Sequence, residues 1–349
     1  MQTKKLKKEA EGGLSSLLNS PLQIGAQIIS NRLVFAPMAY VGNIAQRALV
    51  DHYGGCGLFF SEMCSSCRIP HERPEHSLFY TWRNEERERL VVQIVGNDKK
   101  KMADAARRVE AAGLFGVDIN MGCSTKAICS IGAGAALLKD PESALAVIEA
   151  VRAAVRFPVM VKYRIGWKDD PEAAVQMAKR FEALGVDALT FHPRVAPDKR
   201  TRPPKWEYIG LVKQEVKIPV FGNGNVFSRE DCFKMMTTTG CDGVSLGRIA
   251  IAQPWVFSAW TQGVSLNTTV YADALNNLSE MMENYFPAAQ ALRRFRRMAE
   301  YFCTNFRFGH SLYKGIFAAK NMEEIRTALK AFFSRPLDLA LYPNLNLFS

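Results

Sequence analysis

The sequence predicts an α/β chain: a (β/α)8 TIM barrel followed by a small C-terminal helical domain. Three observations carry this. Eight short β-type runs alternate with amphipathic stretches over about 230 residues. No two runs are joined by an Asn-Gly-type hairpin, and no G-x-G-x-x-G follows the first run, which disfavours an open dinucleotide-binding sheet. After Gln262 the pattern changes to helices without strands.

The runs, in order, are "LVFAPM" (33–38), "LFFSEM" (58–63), "LVVQIVG" (90–96), "GVDINMG" (116–122), "VMVKYRIG" (159–166), "ALTFHPR" (188–194), "VFGNGN" (220–225) and "GVSLGR" (243–248). Between them, stretches such as "KKKMADAARRVEAAG" and "PESALAVIEAVRAAV" repeat apolar residues at helical spacing. The expected organisation is a basic N-terminal segment (1–21), a barrel (22–262) and a helical domain (263–349). Within the last, "LRRFRRMAEY" places Arg293, Arg294, Arg296 and Arg297 on one helix, a density suited to phosphate contact, although Glu300 offers an intrahelical partner.

The opening residues "MQTKKLKKEAEGG" lead into no apolar run, and no membrane-length apolar stretch follows, so a cytoplasmic protein is expected. The eight cysteines suit thiols in a reducing compartment better than a disulfide scaffold. A net charge of +11 favours a polyanionic partner, because clustered Lys and Arg neutralise phosphates and release counterions; the alternative is merely a basic soluble surface.

In such a barrel the C-terminal ends of the strands form the active face. Met38, Glu62, Gln93, Asn120, Cys123, Lys162, Arg164, His192, Arg194, Asn223 and Arg248 fall there. Polar groups are costly to bury in parallel strands, so their recurrence at one end points to a shared ligand. After the last two runs, Gly222, Gly224 and Gly247 let the backbone approach an anion, with Arg248 supplying charge.

Together these motifs resemble the tRNA-dihydrouridine synthases, FMN-dependent barrel enzymes with a C-terminal helical domain. The likeness runs from about Leu22 to Pro336 and rests on "APM", "EM", "VQIVG", "DINMGC", "GAGAALLKDP", "VKYRIGW", "HPR", Trp206, "NGNV" and "LGR" in order. It implies FMN held by the Ala36, Pro37 and Met38 backbone, by Gln93, Lys162 and His192 around the ring, and by Asn223, Gly224, Gly247 and Arg248 at the phosphate. It further implies hydride transfer to C6 of uracil in tRNA, with Cys123 as proton donor to C5, Asn120 beside it, and Arg164, Arg194, Arg293 and Arg296 contacting substrate. NADPH as electron source is implied by the family alone. The segment "IISNRLVFAPMAY" also looks like the opening of old yellow enzyme barrels, but the paired His and Tyr donors expected of those are missing. A non-catalytic RNA-binding barrel is a third reading, disfavoured by the intact FMN constellation.

Departures from the family gather in the loops. After "APM" the chain reads "AYVGNIAQRALVDHYGG", keeping Arg47; Ser124 replaces the Pro after the cysteine; the Arg-Thr pair is Arg194-Val195; Arg200 takes a Tyr position. The cysteines depart further. Cys64 and Cys67 follow the second run, Cys123 and Cys129 the fourth, so four thiols are expected on loops of one face, the ligand count for a 4Fe-4S cluster or a structural zinc. In that case Cys123 is no free acid, the chain is a diverged flavin and iron-sulfur reductase, and Tyr40, His71 or His76 stands as a replacement acid. The competing reading leaves Cys123 as the acid and the other three without a role. Cys56, Cys232, Cys241 and Cys303 read as core; His52 and His310 carry no specific signal.

Overall fold

The computed structural model describes residues 13–196, 198, 202–264 and 267–345, so Arg200 lies outside the described residues. All eight predicted runs become staves of one closed parallel barrel. A short antiparallel hairpin, β1 (Leu22–Ile24) and β2 (Gln27–Ile29), comes first. The staves are β3 (Leu33–Phe35), β4 (Leu58–Phe60), β6 (Leu90–Val95), β7 (Gly116–Met121), β8 (Val159–Gly166), β9 (Ala188–Val195), β10 (Val220–Asn223) and β11 (Gly243–Leu246). They pair in chain order, β11 returns to β3, and β4 pairs with β6. Between these two lies β5 (Cys64–Ser65), which continues the line of β4 along β6 after a break at 61–63.

The strands follow from their composition: β-branched and aromatic residues, buried on both faces, as a helix-covered parallel sheet demands. Val34, Leu58, Phe60, Val91, Met160, Ala188 and Phe221 form an inner cluster, which Leu22, Ile24 and Ile29 of the hairpin join. Helices start where side chains can accept the free N–H groups: Asp98, Asp140, Asp170 and Ser228 each cap one.

Beyond the barrel come the helices Val270–Tyr285, Ala288–Phe302, Gly309–Ala318 and Met322–Phe333. They share one continuous apolar core with the outer barrel layer, and Val270–Tyr285 packs on the barrel helix Ile44–Tyr53. The start of the chain joins this core too. Leu14 and Leu18 are buried, and Ser15 and Asn19 donate to the Thr261 carbonyl. Among the described residues, no helix is long and apolar enough to cross a membrane.

Candidate active site

The C-terminal strand ends open into a cavity of about 200 Å³. Ala36, Pro37 and Met38 follow β3 at its rim; Lys162 and Arg164 come from β8, His192 and Arg194 from β9, Asn223 and Gly224 from β10, Gly247 and Arg248 from β11. Lys162 and Arg164, like His192 and Arg194, are two apart on a strand and therefore share a face. The cavity thus gathers nine of the ten residues expected to hold a cofactor and both barrel arginines expected at substrate. Gln93 is not among its lining residues, and Arg293 and Arg296 are on the helix Ala288–Phe302.

The turn after β10 is shaped for close approach. Gly224 has φ +118°, and a Cβ there would stand 2.9 Å from His192 Cδ2. Its carbonyl accepts from Trp206 Nε1 at 2.8 Å. Asn223 donates to the Ser245 carbonyl at 2.8 Å and accepts from Lys162 Nζ at 3.3 Å. Arg248 donates to Asn225 Oδ1 and to the Leu345 carbonyl and lies 4.7 Å from the Phe227 ring centroid, so the C-terminal segment helps fix it.

Lys162, Arg164, Arg194 and Arg248 line this cavity, a charge that suits an anionic ligand. Desolvation and the charges of Arg164, Lys162, Arg194 and Arg248 hold His192 well below its usual pKa, so it is neutral at physiological pH. Burial likewise brings Lys162 down to about 8, with Arg164 adding to the effect and Asp118 and Cys123 opposing it. Among the described residues, His192 Nε2 and Ser245 Oγ, buried beside the cavity, have no hydrogen-bond partner. Buried polar atoms are normally satisfied, so these two suit a ligand's polar groups.

On the strands next to Lys162 runs a hydrogen-bond chain. Gln93 Nε2 donates to Asp118 Oδ2 at 2.6 Å, and Asn120 Nδ2 donates to Gln93 Oε1 at 2.8 Å. Asn120 Oδ1 then accepts from the Gly122 and Cys123 N–H groups at 3.1 and 2.9 Å. Arg164 Nε donates to the Gly122 carbonyl at 2.8 Å. The Cys123 loop is therefore fixed from two sides, and Asn120 acts by holding the cysteine's backbone. Burial pushes the fully enclosed Asp118 carboxyl up to about 7, against the Gln93 hydrogen bond and the Lys162 charge.

Asp118, Ser245, Asn225, Val226 and Phe227 are the site residues that sequence reasoning missed. A signal existed for the first two. Both are polar residues inside buried parallel strands, the criterion that singled out Gln93, Lys162 and His192.

The four cysteines do not assemble into a cluster site. Among the described residues no three His, Cys, Asp or Glu side chains stand close enough to hold a metal. Cys64 sits in β5, buried, its thiol donating to the Glu62 carbonyl at 3.4 Å, and burial pushes it up to about 12, the reverse of what a thiolate ligand needs. Cys67 is exposed. Cys129 ends the short helix Lys126–Cys129 and donates to the Cys123 carbonyl at 3.5 Å. The residues present do not fit an iron-sulfur cluster or a structural zinc.

The Arg-rich helix also differs from expectation. Arg293 and Arg297 are exposed, and Arg296 is half-buried and donates to the Ala319 carbonyl. Arg294 is buried and pairs with Glu62, in the break between β4 and β5, at 2.9 Å. One of the four arginines thus joins the helical region to the active face.

The dihydrouridine synthase family model matches residues 34–335. The tRNA-dihydrouridine synthase B of Pseudomonas syringae pv. tomato is 39% identical over 238 residues, covering 68% of this chain and 70% of that protein. The probable tRNA-dihydrouridine synthase 1 of Synechocystis sp. is 30% identical over 311 residues, 87% of each. Similar solved structures include a 2-naphthoyl-CoA reductase with 2-naphthoyl-CoA (TM-score 0.55, 14% identity, 71% of this chain and 52% of that one) and TcOYE with pHBA (TM-score 0.53, 12% identity, 78% and 99%). At those identities the likeness shows the barrel fold alone. The family match over most of the chain, with these relatives, establishes that the chain belongs to the dihydrouridine synthase family.

Proposed function

We propose that this chain is an FMN-dependent tRNA-dihydrouridine synthase that reduces the C5=C6 bond of a uridine. One observation carries the reading: nine residues of the expected FMN constellation line a single cavity whose buried His192 Nε2 and Ser245 Oγ have no hydrogen-bond partner among the described residues. The residues fit the cofactor. Arg248, Asn223, Gly224 and Gly247 would hold its phosphate; Ala36 to Met38, Lys162, His192 and Gln93 would surround its ring. When bound and reduced, FMN supplies a hydride from N5 to C6 of the uracil.

The chain's own residues supply the rest. Lys162, cationic below about pH 8, would set its positive charge against the bound cofactor and favour its reduced, anionic form. Cys123, on a loop held by Asn120 and Arg164, gives its thiol proton to C5 and recovers one from solvent. Arg164 and Arg194 face the uridine and its phosphate. The base must leave its stack to reach them, and the exposed Arg293, with Arg296 beside it, contacts the tRNA backbone. NADPH is the proposed electron donor on family resemblance; flavin bleaching by NADPH against NADH tests that separately.

The acid role is tested with Cys123→Ala. The variant should bind FMN and be reduced at the wild-type rate while forming no dihydrouridine in a tRNA transcript. Normal turnover by this variant would remove Cys123 from the mechanism.

A further inference from the structure

Tyr40 follows the cavity-lining Met38 by two residues, inside a turn in which Val41 N and Gly42 N both donate to the Met38 carbonyl. Its backbone has φ +68°, the left-handed region that glycine and asparagine occupy at far lower cost than a bulky side chain. The residue nevertheless stays 50% exposed. Arg297, on the helix Ala288–Phe302, sets its guanidinium 4.6 Å from the ring centroid, and Phe79 packs edge-on at 6.5 Å. Arg293, one helical turn earlier than Arg297, is also exposed, so the two charges share a face of the helix.

We infer that Tyr40, with Arg297 above it, is a stacking platform for an unpaired base next to the target uridine, with Arg297 serving that nucleotide's phosphate. An exposed aromatic ring beside paired arginines is the chemistry that binds single-stranded nucleic acid. Its position, two residues past the cavity rim, suits a nucleotide adjacent to one turned inward. A turn needing φ +68° would be relaxed by glycine, so the exposed tyrosine is better accounted for by what its ring contacts. The inference rests on the proposed tRNA activity and adds the residue that selects sequence or shape around the uridine.

The test uses the FMN-loaded full chain, an in vitro transcribed tRNA, filter binding at several salt concentrations, and mass spectrometry of dihydrouridine. Tyr40→Gly should weaken tRNA binding roughly five- to hundred-fold, as expected for one lost stacking contact, with FMN content unchanged and Tm within about 3 °C. The salt slope should not change, because no ionic contact is lost. Tyr40→Trp should keep the affinity, and Arg297→Gln should lower the salt slope by about 1. If Tyr40→Gly proves unstable, Tyr40→Trp and Arg297→Gln decide the matter. Wild-type affinity in Tyr40→Gly, in a protein that makes dihydrouridine, overturns the platform and leaves the activity standing. A wild-type chain that neither binds tRNA nor forms dihydrouridine overturns both.

Discussion

Replacing Arg294 with Met should destabilise the whole chain through a charge left behind in the barrel. Arg294 is 3% exposed; its Nη1 meets Glu62 Oε2 at 2.9 Å, its Nη2 donates to the Leu78 carbonyl at 3.1 Å, and its guanidinium lies 4.6 Å from the Phe286 ring centroid. At that separation and an effective dielectric of about 20, the attraction is about 6 kcal/mol, and removing one partner of a buried pair typically costs about 3–5 kcal/mol. For a chain of 349 residues that corresponds to a fall in Tm on the order of 4–7 °C. Methionine fills most of the volume, so the loss is electrostatic rather than a cavity. Burial already raises the Glu62 carboxyl above its usual value even with Arg294 present. Without Arg294 the rise is larger, the folded state binds the proton more tightly than the unfolded one, and stability falls as pH rises. The gap in Tm between variant and wild type should therefore narrow as pH drops below neutrality. The double variant Glu62→Leu with Arg294→Met should recover most of the loss. Calorimetry from pH 5 to 8 checks all three points. A single-variant shift below about 3 °C that does not depend on pH would refute the reasoning.

Gly224→Ala should lower stability by about 1–3 kcal/mol and reduce FMN occupancy, because the new Cβ meets His192 in a left-handed turn; thermal melts and flavin absorbance read both. Asp118→Ala should slow turnover about tenfold or more while leaving FMN bound, since Gln93 loses its anchor and the Cys123 loop loosens; Asp118→Asn, which can still accept from Gln93, should restore most of it. FMN affinity of the apoprotein should weaken between pH 7 and 9, as the Lys162 ammonium is lost on rising through about 8, and Lys162→Met should abolish that limb in a fluorescence titration.

The barrel and most of the residues that line its cavity were legible because both depend on short-range rules. A parallel strand buried on two faces tolerates a polar residue only at its ligand end, so Lys162, His192 and Asn223 announced themselves. Asp118 and Ser245 met the same test and stand level in register with Gln93 and Asn223, but read alone each passes for ordinary strand polarity. The cysteines misled for a local reason. "CSSC" resembles a ligand pair only if it lies in a loop, whereas the line of β4 resumes at Cys64, buries that thiol in β5 and leaves Cys67 outside.

Arg294 shows where local pattern and charge composition pull apart. Counted as one of four arginines, it belongs to a basic face. Placed on the helix, it falls within the stripe of Ala291, Phe295, Met298 and Phe302, all buried, so the 3.6-residue period already assigns it to the core. A cation on an apolar stripe needs a buried anion, and Glu62, the acid at the end of the second run, was the available polar residue with no other role. Nothing short of the fold shows that residues 62 and 294 meet, because the contact forms only once the helices have packed on the barrel. The same helix therefore divides its charges by angle: Arg294 points inward and holds the two parts together, while Arg293 and Arg297 point outward, where an RNA backbone can reach them.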